Sequence, residues 1–227
     1  MRAMILAAGR GERLRPITDT IPKPLVEVAG HPLLWWHVIR LKRAGICDII
    51  VNSAWLHQKI EDYLGDGARF GVRIAHSVEG PGGLETAGGI IKALPFFRGE
   101  PFLVVNGDTL MDADYAQFTD GIPGPGCARI FLVDNPPHHP QGDFAIKGGK
   151  AVSGSEGALT FTGAALYTPG VFAGMAEERM PLRPVFDRLA ATGRLLASRI
   201  SGRWFDCGTV ERLHEADYYM RSQGARA

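Results

Sequence analysis

The chain has 227 residues, of which 45% are hydrophobic and 22% charged, the balance expected of a globular domain with a sizeable core. Its formal net charge is +1, so there is no overall basic field and no bulk support for nucleic-acid binding. Any site for an anion must therefore come from local clustering of charges.

Strand-like and helical patterns alternate through the first half of the chain. The strands are predicted at 2–8, 48–54, 72–77 and 101–108, and the helices at 32–45, 56–67 and 84–97. Repeated strand–helix units with fully apolar strands indicate a parallel sheet that is covered on both faces. Ligands of such sheets bind beyond the carboxyl ends of the strands, here in the loops after Ala8, Asn52, Ser77 and Val105.

Beyond residue 120 the pattern changes to short strands and turns. Strands are predicted at 127–134 and 158–169, a hairpin at 143–154, and helices at about 181–193 and 209–223. No linker or repeat separates these elements from the first half. We therefore predict one α/β domain over 1–227, with a Rossmann-like, mostly parallel twisted sheet and β-hairpin excursions in its C-terminal half.

A glycine-containing turn, "AAGRGERL", follows the first predicted strand. Glycines at such a position let backbone N–H groups converge on phosphate oxygens. The Walker pattern is absent, and the dinucleotide fingerprint fails because Leu14 stands where a third glycine is required. Gly9 and Gly11 alone are a weak signal for phosphate binding.

Lys23 strengthens that signal because it stands between two prolines. Each proline fixes its own φ angle, and Pro24 favours an extended backbone at Lys23. We therefore expect the lysine on a stiff segment. Arg10 and Arg15 are predicted to form a solvated rim.

The pattern "LAAGRGERLRP…PKPL" resembles the signature of the sugar-nucleotidyltransferases, the nucleoside-diphosphate-sugar pyrophosphorylases. The resemblance continues, in order, through "GGLETAGGI" (82–90), "VNGDT" (105–109), "FTG" (161–163) and "WFDCGT" (204–209). It implies the nucleotide-diphospho-sugar transferase fold and two substrates, a nucleoside triphosphate and a sugar 1-phosphate. It also implies a nucleotide-binding half at 1–120 and a sugar-binding half at 121–227.

Asp108 and Asp206 are the candidate ligands of a Mg²⁺ cofactor. Mg²⁺ is commonly held by one or two carboxylates, with substrate phosphates and water completing the octahedron. The resemblance assigns both residues to the metal, and Asp108 also to catalysis. Taken singly, Asp108 is equally consistent with a turn, and Asp206 with a capping role beside Thr209.

Arg13 and Lys23 are the candidate catalytic cations. Charge builds on the phosphate oxygens and on departing pyrophosphate during the transfer, and positioned cations lower that barrier. A sugar phosphate is already anionic near neutral pH, so no general base is needed. The competing interpretation of Arg13 is a surface ion pair with Glu12 or Glu27.

The resemblance also implies residues that contact each substrate. The nucleotide-binding set is Leu6, Ala7, Ala8, Gly9, Gly11, Ser77, Glu79 and Gly83. The sugar-binding set is Asn106, Gly142, Asp143, Glu156, Thr162 and Gly163. The glycine-rich stretch at 80–83 is also compatible with a loop that precedes a helix without touching a ligand.

The substrate pair stays open at this level. The chain lacks the "EKP" segment of many thymidylyl- and guanylyltransferases, and "DNPPHHPQGDF" with "WFDCGTVERLHEAD" resembles a shorter, UTP-using subgroup that serves peptidoglycan recycling. "LETAGG" instead resembles the GTP-using branch that acts on mannose or heptose 1-phosphate. A non-catalytic module that binds sugar nucleotides is the alternative from another class of protein.

Three further expectations follow from the sequence. Cys47, Cys127 and Cys207 form no paired motif, which predicts free thiols in a reducing compartment. No apolar run approaches the ~20 residues that span a bilayer, and the N-terminal stretch has no signal-peptide pattern. We expect a cytoplasmic monomer or small homo-oligomer that binds neither membrane nor nucleic acid. His138 and His139 are expected to be solvent-exposed rather than a metal pair.

Overall fold

The computed structural model describes residues 1–154 and 156–224. The strands are β1 (Arg2–Leu6), β2 (Glu27–Val28), β3 (His31–Pro32), β4 (Asp48–Ser53), β5 (Arg73–Val78), β6 (Phe102–Asn106), β7 (Thr109–Asp112), β8 (Ala128–Val133), β9 (Phe144–Lys147), β10 (Lys150–Ser153), β11 (Thr160–Tyr167), β12 (Leu195–Arg199) and β13 (Arg203–Asp206). The α-helices are α1 (Ile17–Thr20), α2 (Leu33–Arg43), α3 (His57–Leu64), α4 (Glu85–Phe97), α5 (Arg183–Ala191) and α6 (Val210–Ser222).

The main sheet has nine strands in the order β5-β4-β1-β6-β11-β8-β12-β10-β9. Strands β5, β4, β1 and β6 are parallel to one another, as are β8 and β12. Strand β11 runs antiparallel between β6 and β8, and β9 and β10 form a hairpin at the sheet edge. The prediction of a mostly parallel, Rossmann-like sheet with a C-terminal hairpin is confirmed.

Helices cover both faces of this sheet because its central strands are apolar on both sides. Along β1, Ala3 and Ile5 belong to a core with residues of α2 and α3, whereas Met4 belongs to a core with residues of α4 and α5. This alternation follows the two-residue period of a strand. The carboxyl ends of β1, β4, β5 and β6 therefore lie side by side between two packed layers of helices.

The strand predicted over 101–108 ends at Asn106, and the turn that follows it carries Asp108. Gly107 N–H donates to the carbonyl of Leu6 at 2.8 Å, and a Cβ at Gly107 would lie only 2.7 Å from that oxygen. The chain is thereby tied to β1, and the residues from Thr109 onwards leave the main sheet as β7.

Strand β7 pairs antiparallel with β13, and Thr109 lies opposite Asp206. A third core packs this ribbon against the start of α2 and the inner face of α6 through Leu110, Phe205, Leu213 and Trp36, among others. The ribbon therefore brings the two aspartates predicted as metal ligands, which are almost a hundred residues apart, to neighbouring positions. Within the described residues, every helix is too short or too polar to cross a bilayer.

Candidate active site

The turn after β1 is shaped by Gly11. Its φ angle is +70°, and a Cβ there would lie 3.0 Å from the Cβ of Lys23, so only glycine fits. Thr18 Oγ1 donates to the Gly11 carbonyl at 2.8 Å and holds the turn closed. A Cβ at Gly9, by contrast, would meet nothing within 4 Å. Gly9 therefore leaves open space beside the backbone, as a phosphate-binding turn requires.

A cavity of about 940 Å³ opens next to this turn. It gathers the predicted catalytic residues and all but one of the predicted nucleotide-binding residues. Its walls include Leu6, Ala7, Ala8, Gly9, Gly11, Arg13, Lys23, Glu79, Gly83 and Asp108. Ser77 is buried in β5 and is not part of the wall. The sheet-edge rule thus located the cavity correctly at the carboxyl ends of the parallel strands.

Lys23 and Asp108 form the central ion pair of the cavity. Lys23 Nζ donates to Asp108 Oδ2 at 2.6 Å, with the lysine side chain 6% exposed and the aspartate 41% exposed. The lysine backbone is not extended, contrary to expectation, because residues 23–25 form a short 3₁₀ turn after Pro22. The prolines still fix the segment, and the buried stem aims the ammonium into the cavity.

Arg13 and Asp206 converge beside Gly208. A Cβ at Gly208 would lie 2.7 Å from Asp206 Oδ1 and 2.8 Å from both Arg13 Nη2 and Arg212 Nη2. Asp206 Oδ2 also lies 3.3 Å from Arg212 Nη1. Across residues 1–154 and 156–224, Arg13 forms no ion pair within 4.0 Å, so the expected alternative pairs with Glu12 and Glu27 are not seen. Its guanidinium is free to meet an anion.

Glu79 belongs to a hydrogen-bond chain that joins three strand ends. Asn52 Oδ1 accepts from Ala7 N–H at 2.9 Å, and Asn52 Nδ2 donates to Glu79 Oε1 at 2.7 Å. Glu79 Oε2 accepts from Leu84 N–H at 2.6 Å. Both oxygens of this buried carboxylate are therefore engaged within the protein. Glu79 holds the base-side loop in place, and any role in reading a base edge stays a prediction.

Helix α4 fits against this chain because residue 89 is glycine. A Cβ at Gly89 would lie 2.6 Å from Glu79 Oε1 and 2.8 Å from Asn52 Nδ2. No real Cβ is accommodated at such distances without displacing the buried polar chain. One of the two adjacent glycines in "LETAGG" therefore has a packing role that the sequence did not reveal.

Two further side chains line the cavity beside the glycine turn. Arg10, predicted to lie on a solvated rim, is exposed and stacks its guanidinium 4.4 Å from the ring centroid of Trp55. Trp55, which sequence reasoning did not select, is fixed by an Nε1–H bond of 2.9 Å to the carbonyl of Thr18. Arg15 is also exposed, and it pairs with Asp19.

A segment of the C-terminal half also reaches the cavity. Arg179 lines its wall and lies 3.1 Å from Glu85. The Met180 carbonyl accepts from Ala87 N–H at 3.0 Å and from Gly88 N–H at 3.2 Å. Glu85 has a φ angle of +57°, a strained value for a non-glycine residue that is common at functional sites. Arg179 stands in an irregular segment far along the chain, and no sequence pattern marked it.

The predicted sugar-binding residues do not surround one cavity. Asn106 lines the large cavity, and a Cβ at Gly163 would lie 2.6 Å from its Cγ. Thr162 is fully buried and its Oγ1 donates to the Phe131 carbonyl at 2.8 Å. Glu156 is exposed in a turn. The sugar roles of these residues stay predictions.

The remaining two members of the sugar-binding set lie in the loop before β9. A Cβ at Gly142 would lie 2.6 Å from the Ala158 carbonyl, and the φ angle of Gly142 is +63°. Asp143 Oδ2 accepts from Phe161 N–H at 2.8 Å, and His139 Nε2 lies 3.2 Å from Asp143 Oδ1. Both positions therefore have local structural reasons for their residue type.

A second cavity, of about 710 Å³, has Asp206 in its wall. Its charged and aromatic walls include His138, Arg203, Trp204, Asp206, Arg212 and Glu215. His138 Nε2 lies 3.7 Å from Asp206 Oδ2, so this histidine faces a carboxylate rather than bulk solvent alone. None of the predicted sugar-binding residues lines this second cavity.

Two observations limit the chemistry of the site. Within 1–154 and 156–224, no three His, Cys, Asp or Glu side chains cluster as a preformed metal cage. Burial raises the pKa of Cys207, between Asp206 and Gly208, to about 12. The thiol therefore stays protonated at neutral pH and is not a nucleophile. What remains is a cavity with cations, backbone N–H groups and Asp108 in its wall and Asp206 next to its Gly208, which suits phosphate chemistry.

The chain matches the family model "Nucleotidyl transferase" over residues 2–124. It belongs to the nucleotidyl transferase family, and it is a nucleotidyltransferase, as the motif resemblance predicted.

The similar proteins include one of nearly equal length. The chain is 51% identical to the N-acetylmuramate alpha-1-phosphate uridylyltransferase of Neisseria meningitidis serogroup B, over 95% of this chain and 96% of that protein. It is 29% identical to mannose-1-phosphate guanyltransferase beta-A of Xenopus laevis, over 92% of this chain and 61% of that protein. A Bacillus anthracis chain described as a glucose-1-phosphate thymidylyltransferase superposes with a TM-score of 0.85 at 25% identity, covering 97% of this chain and 95% of that one.

Proposed function

We propose that the chain transfers a uridylyl group from UTP to N-acetylmuramate 1-phosphate in a Mg²⁺-dependent reaction. The products are the UDP-sugar and pyrophosphate, and the cellular role is peptidoglycan recycling in the cytoplasm. The observation that carries the proposal is the 51% identity, over 95% of the chain, to a uridylyltransferase that acts on this sugar phosphate.

The large cavity supports the placement of UTP. Its turn at Gly9 offers backbone N–H groups and open space to the phosphates, and Arg13 and Lys23 add positive charge beside them. The base would extend towards Gly82 and Gly83, where the backbone is unencumbered by side chains. In this proposal the triphosphate lies beside Arg13 and Lys23, with Asp108 in the same wall.

The chemical step is an in-line displacement at the α-phosphorus of UTP. An oxygen of the sugar 1-phosphate forms a new bond to that phosphorus, and the bond to the β-phosphate bridge breaks, so pyrophosphate leaves with the electron pair. No proton has to be removed, since the attacking phosphate is anionic near neutral pH. Arg13 and Lys23 stabilise the charge that grows on the phosphate oxygens.

Asp108 and Asp206 would hold Mg²⁺, which would neutralise phosphate charge and orient the triphosphate. The donor set fits: both are carboxylates, and Asp206 pairs across the β7–β13 ribbon with Thr109, the residue that follows Asp108. Asp108 Oδ2 is occupied by Lys23 and Asp206 Oδ2 by Arg212. In each aspartate, the Oδ1 oxygen is outside those ion pairs.

The second cavity is our candidate for the acceptor sugar. It is lined by Asp206, and it contains the guanidinium groups of Arg203 and Arg212, which pair with Glu215 and Asp206 of the same wall. N-acetylmuramate carries a carboxylate in addition to its 1-phosphate, and cations favour such an anionic sugar. Glucose or mannose 1-phosphate lacks that carboxylate and would gain less from this wall.

The substrate assignment is tested by pyrophosphate release from UTP, GTP, dTTP and CTP, each with N-acetylmuramate, N-acetylglucosamine, glucose and mannose 1-phosphates. We expect UTP with N-acetylmuramate 1-phosphate to have the highest kcat/KM. Faster turnover of GTP with mannose or a heptose 1-phosphate would replace the proposal with the guanylyltransferase, which the similarity to the Xenopus protein favours. Nucleotide binding without turnover of any pair would indicate a non-catalytic regulatory module.

The metal assignment has its own test. Replacing Asp206→Ala should lower kcat by about 100-fold or more and abolish the response to Mg²⁺ concentration. Asp187→Ala is a matched control, because Asp187 forms only an exposed pair with Arg183. An Asp206→Ala enzyme with near-normal activity and unchanged Mg²⁺ dependence would remove Asp206 from the metal site.

A further inference from the structure

Beneath the Asp108 turn lies a buried polar pair that the chemistry above does not use. His37 of α2 is fully buried, and its Nε2 lies 2.8 Å from the carbonyl oxygen of Thr109. Its Nδ1 lies 2.8 Å from the hydroxyl of Tyr115, which is itself 1% exposed. The two contacts join the helix, the strand β7 and the 3₁₀ turn at 115–118.

The geometry fixes where the protons are. A carbonyl oxygen only accepts, so His37 Nε2 carries the proton and donates it to Thr109. Nδ1 then has a lone pair, and Tyr115 donates its hydroxyl proton to it. Burial lowers the pKa of His37 to about 4, so the ring is neutral and in one tautomer near neutral pH.

The residue held by this chain is next to Asp108. Thr109 follows Asp108 directly and lies opposite Asp206 in the β7–β13 ribbon. On its other side the same turn is tied to β1 through Gly107 N–H, and Thr109 Oγ1 donates to the Asn106 carbonyl at 3.1 Å. Asp108 therefore stands on a turn that is anchored both to the main sheet and, through His37, to α2.

We propose that His37, oriented by Tyr115, is a positioning residue that sets the placement of the Asp108 carboxylate against Lys23 and the bound metal and nucleotide. The inference rests on the proposed function for its effect on turnover. The physical reason is pre-organisation. A turn that is anchored on only one side would let the Asp108 carboxylate sample positions in which it contacts neither Lys23 nor a metal cation.

Helix α2 offers a matched control at the other end of the same strand. Arg40 lies one helical turn after His37, is also buried, and its Nη2 lies 3.6 Å from Asp112 Oδ1 at the end of β7. His37 and Arg40 thus hold the two ends of one strand, but only His37 contacts the residue that follows Asp108. A purely structural role would make the two positions equivalent for catalysis.

The test compares His37→Leu, His37→Gln and Arg40→Met. We expect His37→Leu to lower kcat by about 10- to 100-fold with the KM for UTP changed by less than about threefold. His37→Gln, whose amide can donate to Thr109, should recover most of kcat. Arg40→Met should lower the unfolding midpoint while kcat stays near that of the unchanged protein. Equal kcat in His37→Leu and the unchanged protein would overturn the proposal.

Two further readouts separate this inference from the proposed function. Mn²⁺ affinity, measured by electron paramagnetic resonance, should weaken about tenfold in His37→Leu and not in Arg40→Met. A crystal structure of His37→Leu should show Asp108 displaced from Lys23, and this readout needs neither turnover nor metal. If the unchanged protein turns over no substrate pair, the proposed function fails. Independently of that result, an Asp108 that keeps its contact with Lys23 in the His37→Leu crystal structure would overturn the positioning role.

His37→Leu removes a buried donor, so a milder variant is needed should it fail to fold. Tyr115→Phe deletes one hydroxyl and keeps the ring that packs beside Phe118. We expect it to lower kcat by about two- to tenfold, since the imidazole stays in place but loses its orienting donor. Unchanged kcat and unchanged Mn²⁺ affinity in Tyr115→Phe would remove Tyr115 from the positioning chain.

Discussion

Lys23 and Asp108 are 85 residues apart in sequence and 2.6 Å apart in space, Nζ to Oδ2. The lysine comes from a 3₁₀ turn between β1 and α2, and the aspartate from the turn between β6 and β7. The pair thus joins the first loop of the sheet to the loop of its neighbouring strand. In the proposed reaction, the phosphates of UTP would lie beside this pair, in the cavity that both residues line.

Lys23→Ala should lower kcat by about 100-fold, since it removes a cation placed beside the reacting phosphates. Arg15→Ala is the matched control from the same stretch, because Arg15 is exposed and pairs only with Asp19. It should leave kcat within about twofold of the unchanged protein. Pyrophosphate release and thermal unfolding would be measured on both variants. A Lys23→Ala protein with near-normal kcat would show that Lys23 has no catalytic role.

Gly208→Ala should reduce activity much more than stability. Its Cβ would lie 2.7 Å from Asp206 Oδ1 and 2.8 Å from Arg13 Nη2, so it pushes on the ends of mobile side chains. These can move away at a cost of less than about 1 kcal/mol. The same movement misplaces groups proposed to hold metal and phosphate, and we expect kcat to fall by about tenfold or more. Unchanged kcat would mean that Asp206 and Arg13 are not needed in these positions.

Gly89→Ala, unlike Gly208→Ala, should mainly lower the free energy of unfolding. Its Cβ would overlap the buried Asn52–Glu79 hydrogen bond at 2.6–2.8 Å, and overpacking of this kind costs about 1–3 kcal/mol. Gly124→Ala is the control, because a Cβ there meets nothing within 4 Å. Urea unfolding compares the two free energies of unfolding. Equal values would show that α4 can shift without disturbing the polar chain.

Acid should destabilise the protein partly through His37. Burial lowers its pKa from 6.5 to about 4, so between those values the unfolded chain binds a proton that the folded chain does not. The free energy of unfolding therefore falls as pH drops from about 6.5 to 4, by up to about 3 kcal/mol from this residue.

His37→Gln provides the comparison for that pH dependence, since an amide does not titrate. Urea unfolding at pH 7 and pH 4.5 should show a smaller loss of stability in the variant. The lowered carboxyl pKa values of Asp48 and Asp217 act mainly nearer to and below pH 4, where they affect both proteins alike. An equal loss in the two proteins would show that His37 is accessible to protons in the folded state.

Hydrophobic periodicity predicted most of the fold. The four parallel strands β1, β4, β5 and β6 were all located, because fully apolar runs such as "FLVV" between helical patterns favour buried strands. The end of the last of them at Asn106 was missed, since the hydrogen bond from Gly107 to β1 leaves no periodic signal. Small elements such as β2 and β3 have two residues each. They form because of tertiary contacts, which the strand propensities of single residues do not predict.

The two sets of predicted site residues differ in how far they converge in space. Most residues predicted for the nucleotide line one cavity, because glycines, a proline-flanked lysine and strand ends have local physical reasons to be there. The residues predicted for the sugar do not line the second cavity, which is closed by side chains from distant elements, such as His138 and Arg212. Glu79 shows a further limit: a polar residue next to a cavity can be fully used in holding its own loop.

The antiparallel strand β11 has a consequence for how such proteins can diverge. It lies between β6 and β8, and the chain that follows it returns to the start of α4 through Met180 and puts Arg179 in the wall of the large cavity. Residues from the later half of the chain therefore pack between and against elements of the earlier half. A chimera that takes its C-terminal half from a relative would change the walls of both cavities at once. Since we propose that the donor and the acceptor bind in these cavities, we expect the preferences for the two substrates to be inherited together.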